Sequence, residues 1–489
     1  MIPGHPFLEG NFAPVDKELD ATGLQVIGEI PSDLRGTFLR TGPNPRFSPL
    51  GFYHWFDGDG MVHAVRIGDD GVAYRNRWVR TRGFLHEEQA GHAIWTGILH
   101  PPMNPPPHDI ARKNVANTAL LSHAGKLLAL WEGGDPYSLD AQTLATHGPY
   151  TFGDRLSSRF TAHPKVDPVT GELFFFGYQL LEPPYLKYSV VSATGELQFT
   201  TPIELPEPVM MHDFAITEHH AVFLDAPLCF RKERLSQGLP PYVFDEERPI
   251  RIGVLPRYSS GDRIRWFDAL PGFFFHILNA YEDQGQLVLD LARVRRFSLI
   301  DLALGASDPS AADASRARLY RYRIDLESGD VRESALDSEW IEFPQVSPRR
   351  VGRRNRYGYA CSVTSTGGTP VFSGVVKYDL ERHGRQSHTF GEGRFGSEFV
   401  LVPRAGSNGS AGSTGSTGST GSDARAEDDG YLLGIVHDER SAQSELHILD
   451  ATHLPAPPLA RVVLPQRVPY GFHAAWLDPP AAATSPTPG

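Results

Sequence analysis

Short apolar runs separated by polar turns recur along nearly the whole chain. KLLALWEG, ELFFFGYQL, GVVKYDL and GYLLGIVHD read as apolar strands. Close to them lies a second pattern, a β-rich run that ends in Asp or a small residue, then a polar turn, then another strand. It occurs as PYSLDAQTLATHG around Asp140, YSVVSATGELQFT around Thr194, LYRYRIDLESGDV around Asp325, VVKYDLERHGRQSHTF around Asp379 and LHILDATHLPAPPLARVVL around Asp450. Runs of this length bounded by turn residues predict antiparallel hairpins. The 48 Gly and 41 Pro punctuate the chain too often for long helices. Repeated hairpins with irregular insertions predict an all-β fold of the propeller type; the alternative, a β-sandwich, does not account for a recurrence that runs nearly end to end.

Three stretches break the rhythm. Residues 83–110 mix a possible short helix with a proline cluster and predict a cap over one face of the propeller. Residues 226–247 set Phe230, Leu235, Leu239, Tyr242 and Phe244 beside Arg231, Lys232 and Arg234. Apolar groups interleaved with cations suit a membrane surface, through 230–244; a loop tucked against the propeller face is the other reading. The Gly/Ser/Thr tract at 405–426 has nothing to bury and predicts a flexible surface insertion without chemistry.

A length of 489 residues would ordinarily suggest two or three domains, but a propeller gathers that many into one, so a single domain over 1–489 is expected. The net charge of -12 argues against nucleic acid as a partner. Cys229 and Cys361 are too few for a disulfide framework and too isolated for a CxxC site. No basic and apolar leader opens the chain, and no run reaches the roughly 18 apolar residues of a spanning helix. A cytoplasmic protein, in places peripheral to a membrane, is the expectation.

Four histidines sit in similar surroundings: His163 in TAHPKVDP, His212 in VMMHDFAIT, His276 in FFFHILNAYE and His473 in YGFHAAWL. Each opens a strand-like stretch, and their wide spacing excludes a local zinc finger or a helical HExxH site. A fold that returns strands to one axis could deliver all four to one metal; the alternative is four unrelated buried histidines. Glu132, Glu342 and Glu398 stand in apolar strands, where a carboxylate is costly unless paired. A histidine bound to metal through one ring nitrogen offers its other N–H to such a partner. Pairing with an arginine such as Arg349 or Arg350 is the competing account of these glutamates. The WFDGDGM word around Asp57 and Asp59 reads as a tight turn.

The sequence resembles the carotenoid cleavage oxygenases, the family that includes carotenoid and apocarotenoid dioxygenases and the retinal-pigment-epithelium isomerase. The resemblance spans nearly the whole chain. It rests on GNFAPV, GTFLRTGPNP, YHWFDGDGMVHAV, ANTALL with LLALWEGGDPYSLD, the four histidine segments, NAYE, EFPQV, AEDDGYLLGIV and SELHILDA, in the family's order. It implies a seven-bladed propeller, capped over the iron face, with non-haem Fe(II) held by His163, His212, His276 and His473. It implies further that Glu132, Glu342 and Glu398 hold His212, His276 and His473, leaving His163 without a carboxylate, and that Thr118 crowds one open position near the iron. No acid or base catalyst beyond the metal centre is expected; Asp213, directly after His212, is expected to fix the local backbone.

The implied reaction is cleavage of a conjugated C=C bond of a carotenoid or apocarotenoid by dioxygen, with the hydrophobic polyene lying in an apolar tunnel. The stilbene-cleaving branch of the family carries a lysine just before the first of these glutamates. Here that residue is Trp131, which favours an apolar polyene over a phenolic stilbene. Stilbene cleavage is the alternative, and a propeller that only binds partners is a third reading from another class. Phe273, Phe274 and Phe275 either line the tunnel or form ordinary buried strand.

Overall fold

The expected hairpins assemble into seven antiparallel sheets, each one blade of a β-propeller. The computed structural model describes residues 5–100, 103, 105–304, 309–366, 369–404 and 426–479. Blade one draws on both ends of the chain. Its inner strand is Ala474–Leu477, followed outward by Gly36–Pro43, Gly60–Gly68, Gly71–Trp78 and Asp20–Thr22. Blades two to six run in chain order from the inner strands Ala119–His123, Lys165–Val166, Ala215–Ile216, Phe273–Asp283 and Ile341–Gln345. In blade seven Val400–Pro403 and Arg394–Phe395 both pair with Gly430–Asp438, and the outer edge is Val26–Gly28 on Ala460–Val463. The ring is thus closed twice, by Ala474–Leu477 on Gly36–Pro43 and by Val26–Gly28 on Ala460–Val463.

The recurring aspartates explain why the outer hairpins form where the sequence places them. Asp140 Oδ1 accepts the N–H groups of Gln142 and Thr143, Asp325 Oδ1 those of Glu327 and Ser328, and Asp450 Oδ1 that of Thr452. A side chain that caps the backbone two and three residues ahead bends the chain at that point. Between blades the alternating apolar faces interlock: Phe174, Phe176 and Tyr188 of blade three pack with Phe223 of blade four. Each such buried aromatic or aliphatic side chain contributes about 1.5–3 kcal/mol over its exposed state.

Three insertions rise from one end of the ring. Arg82–Ala90 is a helix, N-capped by Thr81 Oγ1 and ended by Gly91 in the left-handed region, as the reading of 83–110 anticipated. Residues 226–247 form a hairpin, Leu228–Phe230 with Tyr242–Phe244, around the short helix Lys232–Ser236. Two helices, Leu299–Leu304 and Pro309–Ala314, had no counterpart in the sequence reading. Six residues each are too few for a helical period to show. The Gly/Ser/Thr tract lies, but for Ala426, outside the described residues. Among the described residues no helix is long and apolar enough to cross a membrane.

Candidate metal centre

Each of the seven blades brings one residue of interest to the start of its inner strand. His473 directly precedes the inner strand of blade one and Thr118 that of blade two. His163 and His212 lie just ahead of those of blades three and four. His276 and Glu342 sit within those of blades five and six, and Glu398 lies two residues before Val400–Pro403 of blade seven. Two of these strands are irregular at the site. The pairing of Phe273–Asp283 shifts register between Phe274 and Ile277, and that of Ile341–Gln345 between Glu342 and Gln345, where Phe343 adopts φ 52°. Bulges re-aim side chains that an unbroken pleat would send elsewhere.

The four imidazoles converge. Ring centroids of five of the six pairs lie 4.5 to 5.2 Å apart. The Nε2 atoms of His163 and His212 stand 2.9 Å apart. Two nitrogens each about 2.0–2.1 Å from one ion, at right angles, would show a separation of about 2.9 Å. The ligating atoms of His163, His276 and His473 all fall within 4.8 Å of one another. His276 Nε2 is buried with no hydrogen-bond partner, an arrangement that leaves a lone pair facing the centre unused.

The glutamates occupy the opposite ring nitrogens. His212 Nδ1 contacts Glu132 Oε2 at 2.5 Å, His276 Nδ1 contacts Glu342 Oε2 at 2.5 Å, and His473 Nδ1 contacts Glu398 Oε1 at 3.0 Å. Arg350 pairs with Glu427 instead. His163 meets no carboxylate among the described residues; its backbone N–H donates to Thr161 Oγ1. With Nδ1 engaged as donor, Nε2 of the other three is left as acceptor, the form a metal requires. Burial, the neighbouring imidazoles and Lys165 hold His163 well below the usual histidine range, and burial with His473 and His212 does the same to His276. Burial also disfavours the charged form of His212, but Glu132 outweighs it and the group stays above its usual range. Burial pushes the Glu342 carboxyl up to about 7. Four imidazoles backed by carboxylates form a donor set that suits a divalent transition metal.

The centre opens into a cavity of about 460 Å³ with largely aromatic and aliphatic walls. Phe275 stands edge-on to His212, and Phe343 lies against His276 and His473. Of the Phe273–Phe275 run only Phe275 reaches the cavity, while Phe273 and Phe274 are buried in the blade core. Thr118 and Trp131 both line the cavity, and the Thr118 carbonyl accepts the His473 N–H at 3.2 Å. The Trp131 ring folds over Gly133, where any Cβ would lie 2.3 Å from it. The sequence reading missed Tyr178, whose hydroxyl donates to Glu132 Oε1 at 2.6 Å, and Arg112, which lines the wall and donates to the carbonyls of Gly97 and His100. Tyr178 belongs to the ELFFFGYQL strand and nothing in its flanks distinguishes it.

The hairpin at 226–247 follows the second of its two sequence readings, a loop tucked against the propeller face. Phe230, Leu235 and Tyr242 turn inward to the cavity wall, so the apolar groups largely face the site, and Leu239 is the one that stays exposed, at 42 %. The residues around Asp57 form a single 3-10 turn, Trp55–Asp57, in which His54 Nδ1 accepts the Phe56 N–H and Asp57 Oδ2 accepts the His54 N–H.

Fold and site together define a β-propeller that gathers four imidazoles and three carboxylates beneath an apolar cavity. Residues 12–478 match the family model described as retinal pigment epithelial membrane protein. The chain is 40% identical to carotenoid 9,10(9',10')-cleavage dioxygenase 1 of Pisum sativum, over 97% of its own length and 90% of that protein's. The chain belongs to this family, the carotenoid cleavage oxygenases. Among solved structures it is similar to the lignostilbene dioxygenase of Pseudomonas brassicacearum, with TM-score 0.86 and 28% identity, covering 98% of this chain and all of that one. It is likewise similar to the cobalt-substituted apocarotenoid oxygenase of Synechocystis, with TM-score 0.83 and 30% identity, covering 95% and 97%.

Proposed function

We propose that the protein is an iron(II)-dependent dioxygenase that cleaves a conjugated C=C bond of a carotenoid or apocarotenoid to two carbonyl products. The observation that carries this reading is the convergence of His163, His212, His276 and His473 at the base of an apolar cavity, in a chain of this family. These four histidines would hold the iron, with Glu132, Glu342 and Glu398 fixing three of them. Bound iron would supply the activation of dioxygen. The reaction then adds one oxygen atom to each carbon of the broken double bond, so no outside reductant is consumed.

The chain's own contribution is placement. Trp55, Phe56, Phe275 and Phe472 give the cavity aromatic walls that exclude water and align a rod-like polyene. Trp131 sets an indole where stilbene-cleaving relatives carry a lysine, and Thr118 narrows the space beside the centre. The exposed Leu181 and Leu239, at 54 % and 42 %, support reversible contact of this end of the molecule with a membrane surface, from which an insoluble polyene would enter.

The test is turnover. Iron-loaded protein with oxygen should bleach an apocarotenal in detergent and yield two carbonyl fragments whose masses identify the bond cut. A panel of carotenoids and apocarotenals left intact would sink the reading. Turnover of a phenolic stilbene alone would transfer the assignment to that branch, which the similarity to the lignostilbene dioxygenase supports.

A further inference from the structure

Three carboxylates hold imidazole rings at the centre, but a fourth acid, Asp213, holds the strands that carry them. Its Oδ2 accepts the N–H of Ile277, the residue after His276, at 2.8 Å. Its Oδ1 accepts the N–H of Phe214 and pairs with the ammonium of Lys165, two residues after His163, at 2.8 Å each. Asp213 itself follows His212. One buried carboxylate therefore ties blades three, four and five together at the points where their histidines leave the backbone.

The same device recurs at the remaining histidine. Glu398 binds the His473 ring through Oε1 and accepts the N–H of Ala474, the next residue, through Oε2 at 2.6 Å. Three histidines of the centre thus have a backbone N–H within two residues held by an acid, and His163, which lacks a carboxylate on its ring, is tied to Asp213 through the side chain of Lys165. Burial makes the arrangement stiff: the Asp213 side chain is 2 % exposed, and its oxygens meet two N–H donors and a cation.

We infer that Asp213, with Lys165, is a positioning clamp that sets the spacing of His163, His212 and His276 and so the geometry offered to the metal. The inference rests on the proposed metal centre but not on any substrate. Asp213→Asn keeps the shape and removes the charge, and it turns one accepting oxygen into a donor facing other donors. Lys165→Met keeps the stem and removes the ammonium; its side chain is 20 % exposed, so this variant carries the test if Asp213→Asn fails to fold. Asp290→Asn is the control, a buried acid of blade five paired with Arg321 away from the centre.

Cobalt(II) is the probe. Wild-type protein should bind it stoichiometrically, and both clamp variants should show altered visible d–d bands and lose cobalt to EDTA about 10- to 100-fold faster, the usual scale for outer partners of metal ligands. Asp290→Asn should lower the melting temperature and leave the bands in place. Clamp variants with wild-type bands and release rates would overturn the inference, as would an equal spectral change in Asp290→Asn. A wild-type chain that binds no cobalt would overturn the metal centre and the clamp together, whereas absent turnover with intact cobalt binding would count against the proposed substrate alone.

Discussion

At the scale of single residues, the inner strands of blades four and five are stapled at both ends by acids, Asp213 beside the histidines and Glu282 at the far end. Glu282 accepts from His219 N–H at 3.2 Å, from the Thr217 hydroxyl, and contacts His220 Nδ1 at 2.8 Å. Burial alone would raise its carboxyl, but these hydrogen bonds, His220 first, outweigh it and bring the group from 4.5 down to about 2. A depressed carboxyl stabilises the fold fully above its unfolded value and loses that contribution as pH falls toward the folded one. The melting temperature of the wild type should therefore climb between about pH 2 and pH 4.5. Glu282→Gln should cost clearly more stability at pH 6 than at pH 3, and equal losses at the two pH values would remove this account. The chemistry of the centre could be read in the chain because each histidine and glutamate carries its own local word. Tyr178, Asp213 and Lys165 could not be given partners from sequence, since their roles come from contacts between blades.

At the scale of elements, the outer hairpins were readable because the signal is short-range: an aspartate caps the turn it starts. Of the inner strands, those at His276 and His473 were readable and the shortest were not. Lys165–Val166 and Ala215–Ile216 have two residues each, too few to alternate, and they are strands only because the neighbouring strand pairs with them. The hairpin around Lys232–Ser236 shows the same limit, since its mixed apolar and cationic composition fits a membrane surface and a cavity wall alike. The structure uses Phe230, Leu235 and Tyr242 for the wall and leaves Leu239 outside. If the outer residues dip into lipid, the protein should float with neutral liposomes, and Leu181→Asp with Leu239→Asp should abolish flotation. The net charge of -12 predicts no gain from anionic lipid. Flotation unchanged in the double variant would place the contact elsewhere.

At the scale of the whole molecule, the closed ring ties assembly of the proposed metal centre to folding. No single blade holds the centre, because its histidines come from blades one, three, four and five and its glutamates from the ends of blades two, six and seven. His473 reaches it only when Ala474–Leu477 has paired with Gly36–Pro43, and the ring is held shut on its other rim by Val26–Gly28. Gly28 is required there: its φ is +91°, and a Cβ would stand 2.3 Å from the Leu459 carbonyl oxygen. Gly28→Val should cost about 2 kcal/mol or more through left-handed strain and overlap. The residue lies on an outer edge, so a propeller whose blades unfolded independently would let blade seven fray and keep its metal. A closed ring predicts the opposite: in urea, cobalt release and loss of tryptophan fluorescence should share one midpoint in the wild type, and both should fall together in Gly28→Val. Separation of the two curves in the variant, with fluorescence lost first and cobalt retained, would show that closure of the outer rim is not coupled to the centre.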